Sequence, residues 1–159
     1  MLTNDELLIL VRDTNKRDSW RREALDQLIS NLAVDHLYHI VLDTSRKDEW
    51  RKHALNAICE IAKLQGSIVS MSSLSLHVGD ISITVNATAV SSGTSMIANR
   101  AADVLYRIFN DTSRKDAWRY QCLKYLIAIR HKEHLTQIAN NTSRKNAWRD
   151  EAMRALIHG

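Results

Sequence analysis

The sequence predicts an all-α protein, a right-handed α-solenoid of four 30-residue helix hairpins with one inserted β-hairpin. A nine-residue motif ending in Trp-Arg occurs four times, at 13–21, 43–51, 111–119 and 141–149. Apolar residues at helical spacing stand on both sides of each copy. The chain contains no proline and only four glycines, a composition that favours helices over a loop-rich β-domain.

The tryptophans of the motif set the repeat boundaries. Trp20, Trp50, Trp118 and Trp148 are separated by 30, 68 and 30 residues. We therefore expect one domain, 1–159, made of repeats 1–30, 31–60, 99–128 and 129–158. The extra length between the second and third tryptophans is an insertion at 61–98.

Each repeat is expected to contain two helices joined by a six-residue turn. In the first helix, Leu7 and Leu10 define a face that recurs in the other repeats. In the second, Trp20 is followed by apolar residues 4, 5, 8 and 9 positions later, again on one face. The second helices are predicted to begin with an N-cap side chain, from Asp18, Asp48, Asp116 or Asn146.

The repeats resemble HEAT-like repeats, especially the short form of phycobilisome-lyase-type HEAT proteins. The second repeat carries the resemblance in a turn acid, a second acid before a large apolar residue and Arg, and then Ala-Leu: Asp43, Asp48, Trp50, Arg51, Ala54 and Leu55. It extends over about 120 of the 159 residues. The resemblance implies a curved stack of helices that binds another macromolecule through its concave face or its ridge of turns. A lyase-like role on bilin proteins, or one like alkylpurine DNA glycosylases, is implied only by this resemblance, and no catalytic residues are assigned.

The insertion contains a predicted β-hairpin at about 68–91. Leu74, Leu76 and Val78 alternate with polar residues before Gly79-Asp80, and Ile81, Ile83 and Val85 alternate with polar residues after it. This register pairs Val78 with Ile81 and puts all six apolar residues on one face. Two interpretations remain open: the face covers the helices of this chain, or it is an interface with another chain.

The basic residues of the motif form a candidate binding ridge along the turns: Lys16, Arg17, Arg46, Lys47, Arg114, Lys115, Arg144 and Lys145, followed by Arg21, Arg51, Arg119 and Arg149. A basic ridge could bind phosphates. However, acids flank the basic pair in the first three repeats, which favours a charge-paired turn in which Asp and Arg of adjacent repeats form a ladder. Only the fourth repeat, with Asn141 and Asn146, leaves its basic pair uncompensated.

The remaining aromatic and histidine residues indicate structure rather than chemistry. The tryptophans share a face with alanine and leucine, so we interpret them as packing residues, with base stacking as the alternative. His36 with His39, and His131 with His134, are spaced to share helix faces but have no supporting ligand pattern in the sequence. No catalytic residue, metal ligand or cofactor is therefore assigned.

The composition limits the classes of function. The net charge of +4 permits an acidic partner without requiring one. Cys59 and Cys122 suggest no disulfide framework, and no segment has the pattern of a signal peptide or membrane span, so a cytoplasmic protein is expected. Because the sequence contains no nucleophile elbow, phosphate loop or paired catalytic carboxylates, we expect it to be non-enzymatic. The leading hypothesis is a protein-binding module, and nucleic-acid binding through the ridge is the alternative. Repeats without polar caps at both ends, together with the hairpin, make a homo-oligomer plausible.

Overall fold

The computed structural model describes residues 1–64, 74–86 and 94–159, which are mostly helical with one small antiparallel sheet. The described helices are α1 (Asn4–Arg12), α2 (Asp18–Ser30), α3 (Val34–Leu42), α4 (Asp48–Ala62), α5 (Thr94–Asn110), α6 (Asp116–Ala128), α7 (Lys132–Asn140) and α8 (Asn146–His158). The strands β1 (Ser75–Val78) and β2 (Ile81–Thr84) lie between α4 and α5. The chain forms two compact units, Met1–Ala101 and Ala102–Gly159, with the boundary inside α5.

The first unit contains two helix hairpins, α1–α2 and α3–α4, that pack on each other. The predicted apolar faces form its core, where Leu7, Val11, Leu25, Leu37 and Leu55 are at most 5% exposed. A capping box begins α1, because the Thr3 hydroxyl accepts the amide hydrogen of Glu6 and the Glu6 carboxylate accepts that of Thr3. Helical periodicity therefore identified most of the buried positions, but Trp20, Met153 and Ile157, which were predicted on the same faces, are exposed.

The second unit contains the end of α5 and the helices α6, α7 and α8. Three residues of α5, Leu105, Ile108 and Phe109, are fully buried, as is Leu123 of α6. Ile138 of α7 is 1% exposed. The short connection after α6 contains Arg130 with φ 56°, and the corresponding connection after α2 contains Leu32 with φ 53°. Both connections use the left-handed region to end one hairpin and start the next, so they are equivalent in backbone as well as in sequence position.

The start of each second helix differs from the expectation. Asp18, Asp48, Asp116 and Asn146 are the first helical residues, and the N-cap positions are Arg17, Lys47, Lys115 and Lys145, none of which caps through its side chain. The predicted N-caps were thus placed one residue too late. The acids are still at the positive end of the helix, where their charge is favourable.

The β-hairpin is confirmed at its centre. Val78 pairs with Ile81 and Leu76 with Ile83, as predicted, and Gly79 adopts φ 64° at the turn. Residues 68–73 and 87–91 of the predicted hairpin lie outside the described residues. On either side of the insertion predicted at 61–98, α4 continues to Ala62 and α5 begins at Thr94.

Candidate interaction surfaces

The turn of each repeat is closed by its first polar residue. The side-chain oxygens of Asp13, Asp43, Asp111 and Asn141 each accept the amide hydrogen of the residue two positions later, at 2.9–3.1 Å. Such a bond replaces a backbone turn contact and fixes the path of the chain between the two helices. Because an amide oxygen does this as well as a carboxylate, Asn141 preserves the turn while removing its charge.

The arginine after each tryptophan ties the two helices of its own repeat together. The Nε atoms of Arg21, Arg51 and Arg119 donate to the carbonyls of Val11, Val41 and Phe109 at 2.8–2.9 Å, and Arg149 Nε donates to Ala139 at 3.2 Å. These carbonyls are near the ends of the first helices, where intrahelical donors are missing. The expected Asp–Arg ladder between adjacent repeats is therefore not formed by these arginines, since each bonds within its own repeat.

Lysines connect adjacent repeats. Lys47 Nζ lies 2.8 Å from Asp18, and Lys145 Nζ lies 2.5 Å from Asp116 at the same position of the second unit. The hydrogen bond and charge of Lys47 hold the pKa of Asp18 below its ordinary value, and Lys145 has the same effect on the pKa of Asp116. Both pairs are exposed, so they fix the register of the repeats more than they add stability.

Two turn acids pair with the first basic residue of their motif. Arg46 Nε lies 3.2 Å from Asp43 Oδ2, and Arg114 Nε lies 3.0 Å from Asp111 Oδ2. Burial acts to raise the pKa of Asp43, but hydrogen bonds from Ser45 and the charges of Arg46 and Arg12 outweigh it, so the pKa lies below its ordinary value. The second and third turns are therefore ion-paired.

The fourth turn lacks this compensation. Arg144 follows Asn141 instead of an aspartate, and among the described residues its buried Nε has no hydrogen-bond acceptor. Lys145 remains paired with Asp116. The candidate ridge is thus not uniform: Lys16 is exposed, Arg17 lies over its own Trp20 at 5.2 Å, and Arg46 also donates to the carbonyl of Arg12.

Trp50 and Trp148 each contact the motif arginine of the preceding repeat in the same unit. Arg21 lies 4.7 Å from the centroid of Trp50, and Arg119 lies 5.0 Å from that of Trp148. Trp50, Trp118 and Trp148 are 5–7% exposed, whereas Trp20 is 48% exposed. Three rings are therefore interior packing residues, and Trp20 departs from that expectation.

The apolar face of the β-hairpin lies on α2 and α4 of the first unit. Leu76, Val78, Ile83 and Val85 are at most 8% exposed, while Leu74 is half-buried and Ile81 is 41% exposed. The Ser30 hydroxyl donates to the Thr84 carbonyl at 2.6 Å, and the Asn86 amide donates to the Ser30 carbonyl at 2.7 Å. Of the two interpretations of the hairpin, packing on its own chain is the one observed for this face.

A histidine–aspartate cluster in the second unit was not expected from local sequence. Asp103, His131 and His134 place ligand atoms within 4.8 Å of one another, and His134 Nε2 lies 2.8 Å from Asp103. The two imidazoles are stacked at 4.2 Å with an interplanar angle of 12°, so their lone pairs lie in separate, nearly parallel planes and do not converge on one ion.

A second observation identifies this cluster as a link between helices. Asp5 and His36, at the corresponding positions of the first unit, are 2.7 Å apart. Burial and the charge of His134 lower the pKa of His131, which favours a neutral ring stacked at the start of α7. The signal in the sequence was the 31-residue spacing shared by Asp5–His36 and Asp103–His134.

The second unit has an open apolar groove of about 590 Å³. Its floor includes Ile127, Leu135 and Leu156, and its rim includes three basic or titratable residues: Arg130, Lys132 and His158. No acidic residue lines it. Sequence reasoning missed this groove, because its residues look like ordinary helix-face positions and only the fold shows that nothing in the described unit covers them.

The described ranges contain no helix that is both long and apolar enough to cross a bilayer. Comparison of the chain with protein-family models, with curated proteins and with solved structures finds no match. The interpretation of these surfaces therefore depends on their own residues and geometry.

Proposed function

We propose that this chain is a non-enzymatic protein-binding module built from HEAT-like solenoid repeats. The open groove of the second unit carries the proposal, because an exposed apolar concavity with a polar rim is typical of a site that binds another molecule. The helix hairpins that pack on one another within each unit support the repeat architecture. A cytoplasmic location and a homo-oligomeric state remain predictions from the sequence.

The charge pairing of the turns favours a protein partner over nucleic acid. Asp43 and Asp111 form ion pairs with the arginines of their own turns. Asp18 and Asp116 form ion pairs with lysines of the following repeats. A surface that binds phosphates needs basic groups whose charge is not already neutralised.

A site-specific photo-crosslinker at His158, in the groove, tests the proposal in the native cell. We expect protein adducts that are absent when the crosslinker replaces exposed Lys16, and that disappear when Ala155→Trp fills the groove. Adducts that are unchanged by Ala155→Trp, or that contain nucleic acid, would contradict the proposal.

Nucleic-acid binding through the fourth turn is a second candidate function, favoured by Arg144, whose turn has Asn141 and Asn146 where the other turns have acids. Fluorescence anisotropy with labelled single- and double-stranded nucleic acid tests it. Binding that weakens steeply with salt, and with a smaller slope in Arg144→Gln, would support this candidate. Binding absent even at low salt would reject it.

A further inference from the structure

The two units carry the same face, and its apolar floor is fully buried in only one of them. Residues of the first unit correspond to residues of the second at an offset of 98, as Trp20 corresponds to Trp118. Under this correspondence, Ile29, Leu37 and Ile58 match Ile127, Leu135 and Leu156 of the groove floor. The first set is fully buried.

In the first unit the β-hairpin packs on α2 and α4 at this face, and the start of α5 lies at its edge, where Met96 and Arg100 line a cavity with Leu32 and Val34. The contacts to Ser30 described above place the backbone of Thr84 and Asn86 beside the end of α2, and Asn86 Nδ2 donates to Asn31 at 3.3 Å. Strand β1 packs on α4. The end of a helix hairpin in this chain can therefore bind an extended segment through apolar side chains and a backbone hydrogen bond.

The second unit offers the same geometry to a different occupant. Ala128 replaces Ser30 and lines the groove, and its carbonyl accepts no hydrogen bond from the described residues. A backbone N–H of an added segment can bond to this carbonyl as Asn86 bonds to that of Ser30. No described strand of this chain lies on the groove.

The rim determines the charge of that occupant. Leu32, Val34 and Glu60 of the first unit are replaced by Arg130, Lys132 and His158. Two apolar residues and one acid thus become two cations and a histidine around a floor that stays apolar. Complementary charge selects among partners and raises the rate of association.

We infer that the groove of the second unit binds an extended acidic segment of a partner protein, with apolar residues at alternate positions that contact the floor. This inference rests on the proposed protein-binding function and adds the chemistry and conformation of the partner. Alternation follows from the strand geometry, because side chains two residues apart lie on one face. The acidic side chains between them contact Arg130 and Lys132 at the rim.

The test uses the 159-residue chain and three synthetic peptides of about nine residues. The first alternates Leu, Val and Ile with Asp and Glu, the second replaces the acids with Ser, and the third is an acidic amphipathic helix. Backbone NMR shifts of Ile127, Leu135 and Leu156 report binding at the groove. We expect the first peptide to bind there about tenfold more tightly than either of the others.

Two charge-reversal variants provide the matched comparison. Arg130→Glu/Lys132→Glu is expected to weaken binding of the first peptide by about tenfold or more, and Lys16→Glu/Arg17→Glu, with the same change in net charge, to leave it unchanged. Arg130→Gln/Lys132→Gln gives an intermediate loss, and it provides the test if the reversal variant fails to fold.

The remaining outcomes separate the inference from the function on which it rests. Equal binding of the serine peptide, or equal losses in both reversal variants, overturns the acidic selectivity. Tighter binding of the helical peptide at the groove overturns the extended conformation but leaves protein binding intact. Shifts at the groove that grow with protein concentration alone identify a second copy as the occupant and overturn the inference. If no peptide shifts the groove, the inference fails, while crosslinking at His158 decides the function independently.

Discussion

Replacing Arg21 by methionine tests the role assigned to the motif arginine. Arg21 is 7% exposed, its Nε donates to the Val11 carbonyl at 2.9 Å, and its guanidinium lies 4.7 Å from the centroid of Trp50. Methionine keeps an apolar side chain but removes the charged donor and the cation–π contact. The lost hydrogen bond is worth about 2 kcal/mol and the ring contact about 1 kcal/mol, so we expect a loss of about 3 kcal/mol.

Arg149→Met is the matched control. Arg149 makes the equivalent bond at 3.2 Å in a more exposed setting, and among the described residues no aromatic ring lies over it. We expect this variant to lose about 1 kcal/mol.

Native-state hydrogen exchange measures the loss of stability of each variant in its own unit. The amides of α1 and α2 report on Arg21→Met, and those of α7 and α8 report on Arg149→Met. This assay does not require the two units to unfold together. Equal losses in the two variants, or a loss below about 1 kcal/mol for Arg21→Met, would refute the assigned role.

Two further predictions concern the turn and the ring. Asp43→Asn keeps the turn acceptor, as Asn141 shows, but loses the ion pair, so we expect about 1 kcal/mol less stability at neutral pH. Because the folded-state pKa of Asp43 lies below its ordinary 3.8, the difference from wild type persists above that pH and disappears as the pH falls through the folded value. Urea unfolding at pH 7 and pH 3 measures it, and a difference that grows with acid would contradict the sign. We expect Trp148→Ser to lower the free energy of unfolding by about 3 kcal/mol or more, and Trp20→Ser to lower it by under about 1 kcal/mol. The reason is that the ring of Trp148 is buried and that of Trp20 is exposed. Equal shifts in urea midpoint would refute this assignment.

Local periodicity explains why much of the fold could be predicted. The apolar faces of the helices depend on side chains three and four residues apart, so the sequence alone identifies them. The hairpin register followed from Gly79-Asp80 in the same way, since a two-residue turn leaves only one pairing of Leu76 and Val78 that keeps the apolar face continuous. Both results depend on short-range geometry.

The partners of charged residues could not be predicted in this way. Each copy of the motif places three bases within nine residues, with two acids in the first and third copies and three in the second, and many pairings satisfy the same spacing. Arg21 bonds to a helix-end carbonyl rather than to an acid of the next repeat, because the unpaired carbonyl of Val11 lies within its reach. The partner of Lys47, Asp18, depends on how two hairpins pack, which the sequence of one repeat does not contain.

The groove was also beyond sequence reasoning, and the comparison between units shows what distinguishes it. Arg130 and Lys132 stand where the first unit has Leu32 and Val34. If these cations served only to solvate an exposed face, polar residues of either charge would suffice. The floor would then contain polar residues as well. Instead the floor keeps Ile127 and Leu156, partly exposed, in place of Ile29 and Ile58, and no acidic side chain lines it. Keeping apolar groups partly exposed to water is unfavourable unless something covers them. An apolar floor beneath a basic rim therefore favours an occupant with alternating apolar and acidic side chains over simple solvation of the face.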